Sequence, residues 1–152
     1  MSKIANQFRF SWIDENIAGF AFPHSEEQIK FLSKQGINII ISLSREPLNK
    51  KIAKKYGLEV VHLPIIDFSI PNDSILKRFI EIVDDSIKQD KKIGVHCKYG
   101  IGRTGLMLAI YLIEFKNMSP EQALRKIREL RPGSVESFEQ INYLLKYKKT
   151  HS

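Results

Sequence analysis

Lys92 to Phe115 holds a short apolar run, a turn carrying Gly100, Gly102 and Gly105, and then a nearly uninterrupted apolar stretch. Lys92 to His96 has the length of a buried strand, and Thr104 to Phe115 reads as a helix covered on most sides. A buried strand that passes through a tight turn into a buried helix belongs in an α/β layer, strands inside and helices outside. The rest of the chain keeps that alternation. Phe8 to Trp12 and Ile17 to Phe22 are expected as short strands joined at Asp14-Glu15-Asn16. Ser25 and Gln28 make a capping-box pattern for a helix ending at Gly36, and Asn38 to Leu43 is a β-branched strand.

Leu48 to Tyr56 reads as a short basic helix stopped by Gly57, followed by a strand over Glu59 to Pro64. Asn72 to Gln89 places Ile75, Leu76, Phe79, Ile80, Val83 and Ile87 at helical spacing. A capped helix opens at Ser119-Pro120-Glu121 and closes before Arg131-Pro132-Gly133, and a last one covers Ser137 to Lys148. No repeat or linker interrupts the pattern. Residues 1–152 are therefore expected to form one α/β domain, a central, largely parallel sheet of four to five strands flanked by helices.

Composition narrows the function classes. No apolar run reaches the length of a membrane span, and the first residues lack a basic-then-apolar leader pattern, so no membrane insertion is expected. Cys97 is the only cysteine, which excludes an internal disulfide and points to a reducing, cytoplasmic setting. The net charge of +7 favours anionic partners. The lysines cluster at Lys50, Lys51, Lys54 and Lys55, at Lys91 and Lys92, and at Lys146, Lys148 and Lys149. These read as solvated faces; no aromatic residues interleave with them as a stacking platform would require, so no specific nucleic-acid partner is expected. No metal-ligand cluster stands out, and neither metal nor cofactor is expected.

Chemistry concentrates between His96 and Gly105. Backbone N–H groups from Lys98, Tyr99, Gly100, Ile101, Gly102 and Arg103 can converge on a phosphate or sulfate-like anion if the loop curls ahead of a helix. The glycines permit the curl, and Arg103 adds a planar fork for two phosphate oxygens. The same N–H groups and helix dipole favour the thiolate form of Cys97. Two rival readings fail. Gly100, Gly102 and Gly105 also spell a dinucleotide-binding pattern, but the helix from Thr104 leads to another helix rather than a strand ending in an acidic residue. A Walker loop is excluded because no Gly-Lys-Ser/Thr follows.

His96-Cys97-x-x-Gly100-x-x-Arg103-Thr104-Gly105 resembles the active-site motif of the cysteine-dependent protein tyrosine phosphatases. The short chain, Phe10-Ser11-Trp12, the segment Leu63 to Phe68 and the segment Leu130 to Glu136 resemble the small, atypical dual-specificity phosphatases. The resemblance implies a phosphatase fold, Cys97 as nucleophile, Arg103 as phosphate ligand and Asp67 as general acid and then base. Asp67 follows a strand, lies in an apolar stretch that would favour its protonated form, and precedes Cys97 by about 30 residues.

Thr104 is expected to donate to the Cys97 sulfur and to cap the following helix. The resemblance implies that His96 braces the loop rather than reacting. Glu46 is a candidate to hold Arg103, and Glu136 or Gln140 to orient the hydrolytic water. His24, His62 and His151 read as incidental. Lys98 and Ile101 leave specificity open: a lysine after the cysteine also occurs in phosphoinositide phosphatases, but Ile101 stands where those enzymes add a second cation. The expected substrates are phosphorylated proteins or peptides at a shallow site, with aryl phosphates preferred and the enzyme a monomer. A lipid phosphate or other non-protein monoester, or a non-catalytic phosphate-binding module, are the alternatives.

Overall fold

Short β-branched runs separated by helices can pair in parallel only through crossovers, and this chain has one helix or more for each. The computed structural model describes residues 3–150. Five strands, β1 (Ser11–Trp12), β2 (Ile17–Ala21), β3 (Ile37–Ser42), β4 (Glu59–His62) and β5 (Lys92–Cys97), form one sheet in the order β1-β2-β5-β3-β4. Only β1 runs antiparallel, to β2; the other pairings are parallel. The strand that ends in Cys97 therefore lies in the middle, between β2 and β3. Its pairing continues past the sheet, with Phe22 N donating to Lys98 O (3.2 Å) and Leu43 N to His96 O (2.8 Å).

Helices α1 (Lys3–Gln7), α2 (Glu26–Lys34), α3 (Lys50–Lys55), α4 (Asp73–Lys88), α5 (Gly102–Lys116), α6 (Pro120–Leu130) and α7 (Phe138–Leu145) cover the two faces. Period-two alternation, offset by a β-bulge between Ile37 and Ile39, sorts the strand side chains between them. Ile39, Ile41, Ile93, Val95 and Cys97 point into the core shared with α4 to α7, while Ile37 and Ile40 join Phe8, Phe20, Ile29 and Leu32 on the other face. α5 is buried from Gly102 through Glu114, as a helix apolar all round must be. Among the described residues no helix is long and apolar enough to cross a membrane.

Several boundaries differ from the sequence expectation. Phe8 to Trp12 does not form one strand; only Ser11–Trp12 pairs, and a helix precedes it. Phe8 and Phe10 gain their burial by packing on Phe20 and Phe31 instead, with Arg9 between them at φ +58. β4 stops at His62 and α7 at Leu145, short of the expected ends. Ser25 caps α2 as expected, but Gln28 returns its bond to the N–H of His24 rather than of Ser25. Thr104 is not an N-cap: Ile101 holds that position without a side-chain bond, and α5 is already under way at Gly102.

Candidate active site

The central strand and the buried helix meet at Cys97, which is 2% exposed. Thr104 Oγ1 donates to Cys97 Sγ at 3.0 Å and Gly100 N donates to it at 3.3 Å. Entering α5 two residues earlier than expected is what lets Thr104 turn its hydroxyl back onto the sulfur. The N–H groups of Lys98, Tyr99, Ile101, Gly102, Arg103 and Thr104 find no protein acceptor among the described residues, while Gly105 N closes the first turn of α5 on Ile101 O at 2.9 Å. Together with the helix N-terminus they form a concavity of unpaired donors beside Cys97, a geometry of the kind that suits an anion.

Two glycines make that curl possible. Gly100 has φ +72, and a Cβ there would meet Ala21 N at 2.7 Å and Phe20 C at 2.8 Å. A Cβ on Gly102 would lie 2.5 Å from Glu136 Oε1 and 3.1 Å from Gln140 Oε1.

Arg103 rises from the first turn of α5 and is 3% exposed. Its Nη1 donates to the carbonyl of Ile65 at 3.1 Å, which fixes one end of the guanidinium. Nε is buried without a hydrogen-bond acceptor; Asp67 Oδ1 stands 3.4 Å away, within ion-pair range but badly directed for a hydrogen bond. The Nε–Nη2 edge is thus left to an incoming oxyanion, in the two-pronged geometry a phosphate accepts.

Asp67 Oδ1 also accepts the N–H of Phe68 at 3.0 Å. The apolar neighbours of Asp67 do not enclose it: its side chain is 37% exposed, and Ile66 and Phe68 point to solvent. A cleft of about 1080 Å³ opens here, lined by Phe22, by residues 44–47 and 64–67, and by Lys98 and Arg103. Glu46 reaches that wall but makes no bond to Arg103, whose partners are Ile65 and Asp67.

His96 is fully buried, stacked on Phe20 and edge-on to Phe22. Its Nδ1 donates to the Cys97 carbonyl at 3.1 Å while Nε2 has no partner. Burial pulls its pKa down to about 4, so it stands as a neutral brace.

The sequence reading missed Arg131. It is 4% exposed and sends Nη1 to Arg9 O (2.6 Å), Ser11 Oγ (2.7 Å) and Gly19 O (2.9 Å), and Nη2 to Gly100 O (2.7 Å). Burial lowers its pKa to about 10, which leaves it charged at neutral pH. The only signal was its place in the Leu130 to Glu136 segment that carries the family resemblance.

His62 is likewise not incidental: its Nε2 meets Ser44 O at 2.6 Å and pins the cleft wall. His24 packs on Phe22, and His151 lies outside the described residues. Gln140 accepts from Glu136 N and Ser137 N through its amide oxygen and donates one N–H to Ser69 O, which leaves its second N–H uncommitted beside Gly102. Glu136 is exposed, with its carboxylate against Gly102. Lys98 and Tyr99 are exposed on the rim, the ammonium 5.3 Å from the Tyr99 ring centre, and Ile101 is half-buried at the cap of α5. Among the described residues no group of three or more His, Cys, Asp or Glu is placed to hold a metal ion.

Comparison with known proteins agrees with this geometry. The family described as "Tc-R-P: Polymorphic toxin system, DSP-PTPase phosphatase" matches residues 20–117, from β2 through α5. The "Probable protein tyrosine phosphatase type IVA A" of Dictyostelium discoideum is 35% identical over 122 residues, 79% of this chain and 72% of that protein. The "Dual specificity protein phosphatase CDC14A" of Mus musculus is 29% identical over 83% of this chain, which spans only 23% of that longer protein. The crystal structure of Tk-PTP in its active form superposes with a TM-score of 0.82 at 28% identity, covering 90% of this chain and 93% of that one. With the matched region holding both Cys97 and Arg103, the chain belongs to the DSP-PTPase family of cysteine-dependent phosphatases.

Proposed function

We propose that this protein hydrolyses phosphotyrosine and phosphoserine/phosphothreonine monoesters in proteins through a phosphocysteine intermediate. The observation that carries the reading is the convergence on one sulfur: Thr104 Oγ1 and Gly100 N bonded to Cys97 Sγ, beneath a guanidinium edge with no acceptor. The loop N–H groups and the Nε–Nη2 edge of Arg103 bind the equatorial oxygens, the positions that gain charge in the transition state. The Cys97 thiolate attacks phosphorus as the ester P–O bond breaks, and Asp67 gives its proton to the departing oxygen. Water then attacks the phosphocysteine, Asp67 takes its proton, and inorganic phosphate leaves with the sulfur again a thiolate. The Thr104 hydroxyl stabilises that thiolate in both steps.

The cleft admits alkyl as well as aryl esters, and aryl esters react faster because a phenolate is the better leaving group. A reducing compartment suits a lone thiol that must stay unoxidised, and the monomer carries every residue the chemistry uses.

The test is hydrolysis of p-nitrophenyl phosphate by wild type, Cys97→Ser and Asp67→Asn. Wild type should be active, Cys97→Ser inactive, and Asp67→Asn slower with the alkaline limb of its pH profile flattened. Equal rates for wild type and Cys97→Ser would remove the covalent mechanism, and inactivity of the wild type would leave a phosphate-binding module.

A further inference from the structure

The acid loop and the helix beside it expose more apolar surface than folding requires. Ile66 is 81% exposed, Phe68 56% and Phe138 86%. Phe68 also sits at φ +63, a left-handed conformation that bulky residues rarely take and that strained functional loops retain. The strain is held from outside the loop. Ser137 Oγ donates to Phe68 O at 2.6 Å, Gln140 Nε2 donates to Ser69 O at 3.1 Å, and Ser69 Oγ donates to Glu139 Oε1 at 3.1 Å. The first turn of α7, whose first residue is Phe138, is thereby fastened to the loop at Phe68 and Ser69. Two segments about 70 residues apart in sequence are joined so that both present apolar side chains to water.

We infer that Ile66, Phe68 and Phe138 form an apolar rim that selects phosphopeptides with a large apolar side chain next to the phosphorylated residue. The inference rests on the phosphatase reading above. Asp67 lies between Ile66 and Phe68, and its carboxyl must reach the leaving oxygen. The chain that carries that oxygen therefore has to cross this side of the cleft, where Ile66 already forms part of the wall. A flanking leucine or phenylalanine laid there removes apolar surface from water on both partners.

A peptide fits better than the other occupants. Exposed Glu136 and Glu139 bracket Phe138, and Asp67 separates Ile66 from Phe68, so carboxylates interrupt the patch where an anionic bilayer would have to approach. Three side chains also offer far less than the roughly 800 Å² per partner of a stable dimer.

The experiment compares kcat/KM for two phosphotyrosyl peptides, one with leucine on both sides of the phosphotyrosine and one with serine there. The enzymes are wild type, Phe138→Ser and Ile66→Ser, both changes lying at exposed positions where folding loses little. Wild type should prefer the leucine peptide by about tenfold, and each variant should cut that preference to about threefold or less. Hydrolysis of both peptides by wild type without preference would overturn the inference and leave the phosphatase reading standing, as would variants that keep the full preference. Failure of wild type to hydrolyse the peptides or p-nitrophenyl phosphate would overturn both. Wild-type binding to phosphatidylserine vesicles that Phe138→Ser abolishes, with no peptide preference, would assign the rim to a membrane instead and overturn the peptide.

Discussion

Replacing Arg131 with leucine removes one charged side chain and takes a donor from four acceptors at once. Gly100 O is buried with it at 2.7 Å and loses its donor, whereas Gly19 O, at 2.9 Å, keeps its place opposite Ser11 in the β1–β2 ladder. Each buried carbonyl left without a donor costs about 1–3 kcal/mol. Relief from burying the cation offsets part of this, since burial already lowers the guanidinium pKa to about 10. The net loss should be about 1–3 kcal/mol, because one buried carbonyl is left unpaired while the buried charge leaves with the side chain. For a chain of this size that lowers Tm by roughly 5 °C.

Arg131→Lys keeps the charge but not the fork, so it should fall between wild type and leucine. Urea unfolding followed by Trp12 fluorescence reads the stability, with p-nitrophenyl phosphate turnover measured well below each variant's Tm. Turnover should fall as well, because Gly100 carries both the carbonyl that Arg131 holds and the N–H that meets Cys97 Sγ. A stability loss below about 1 kcal/mol, or unaltered turnover in a folded Arg131→Leu protein, would refute the assignment of Arg131 as the loop's anchor.

Thr104→Val keeps the shape of the side chain and removes the hydroxyl from Cys97 Sγ. A hydrogen bond to a charged group is worth about 1.5–3 kcal/mol, so steady-state turnover should fall roughly ten- to hundredfold while a pre-steady-state burst becomes easier to see. Rapid-quench measurement with no burst in the variant would count against a role in releasing the thiolate.

His96 sets a pH dependence of stability. Its folded pKa of about 4 lies below its unfolded value of 6.5, so the unfolded chain binds more protons between those limits. Stability is complete above about pH 6.5 and falls by up to about 3 kcal/mol as pH drops toward 4. His96→Asn keeps a donor near the Nδ1 position and has no titration there, so its urea midpoint should vary less over this window; an identical slope would exclude His96 as the source.

Range along the chain explains which parts of this site could be read in advance. Cys97, Gly100, Arg103 and Thr104 sit within eight residues, and one strand-to-helix turn brings them together whatever the rest of the fold does. Asp67 was legible one level up, because a parallel sheet gathers the ends of its strands at one edge, and β4 reaches β5 through β3 alone. Arg131 was not, since its acceptors lie 31 to 122 residues away and no local pattern marks an arginine before Pro132-Gly133 as buried.

Gln140 carries a structural duty that its sequence position does not announce. The family resemblance offered it to the water; its amide oxygen closes a capping box with Ser137 and one N–H holds the loop through Ser69, which leaves a single N–H for any further partner. Glu46 and His62 exchanged roles for a similar reason. The family resemblance made Glu46 a candidate to hold Arg103, yet a backbone carbonyl at Ile65 already fills that place, and the contact from His62 to Ser44 O holds the wall on which Glu46 sits. The reacting groups are thus set by side-chain type at short range. The groups that hold them are set by where backbone carbonyls fall in three dimensions, and residue type alone does not encode that.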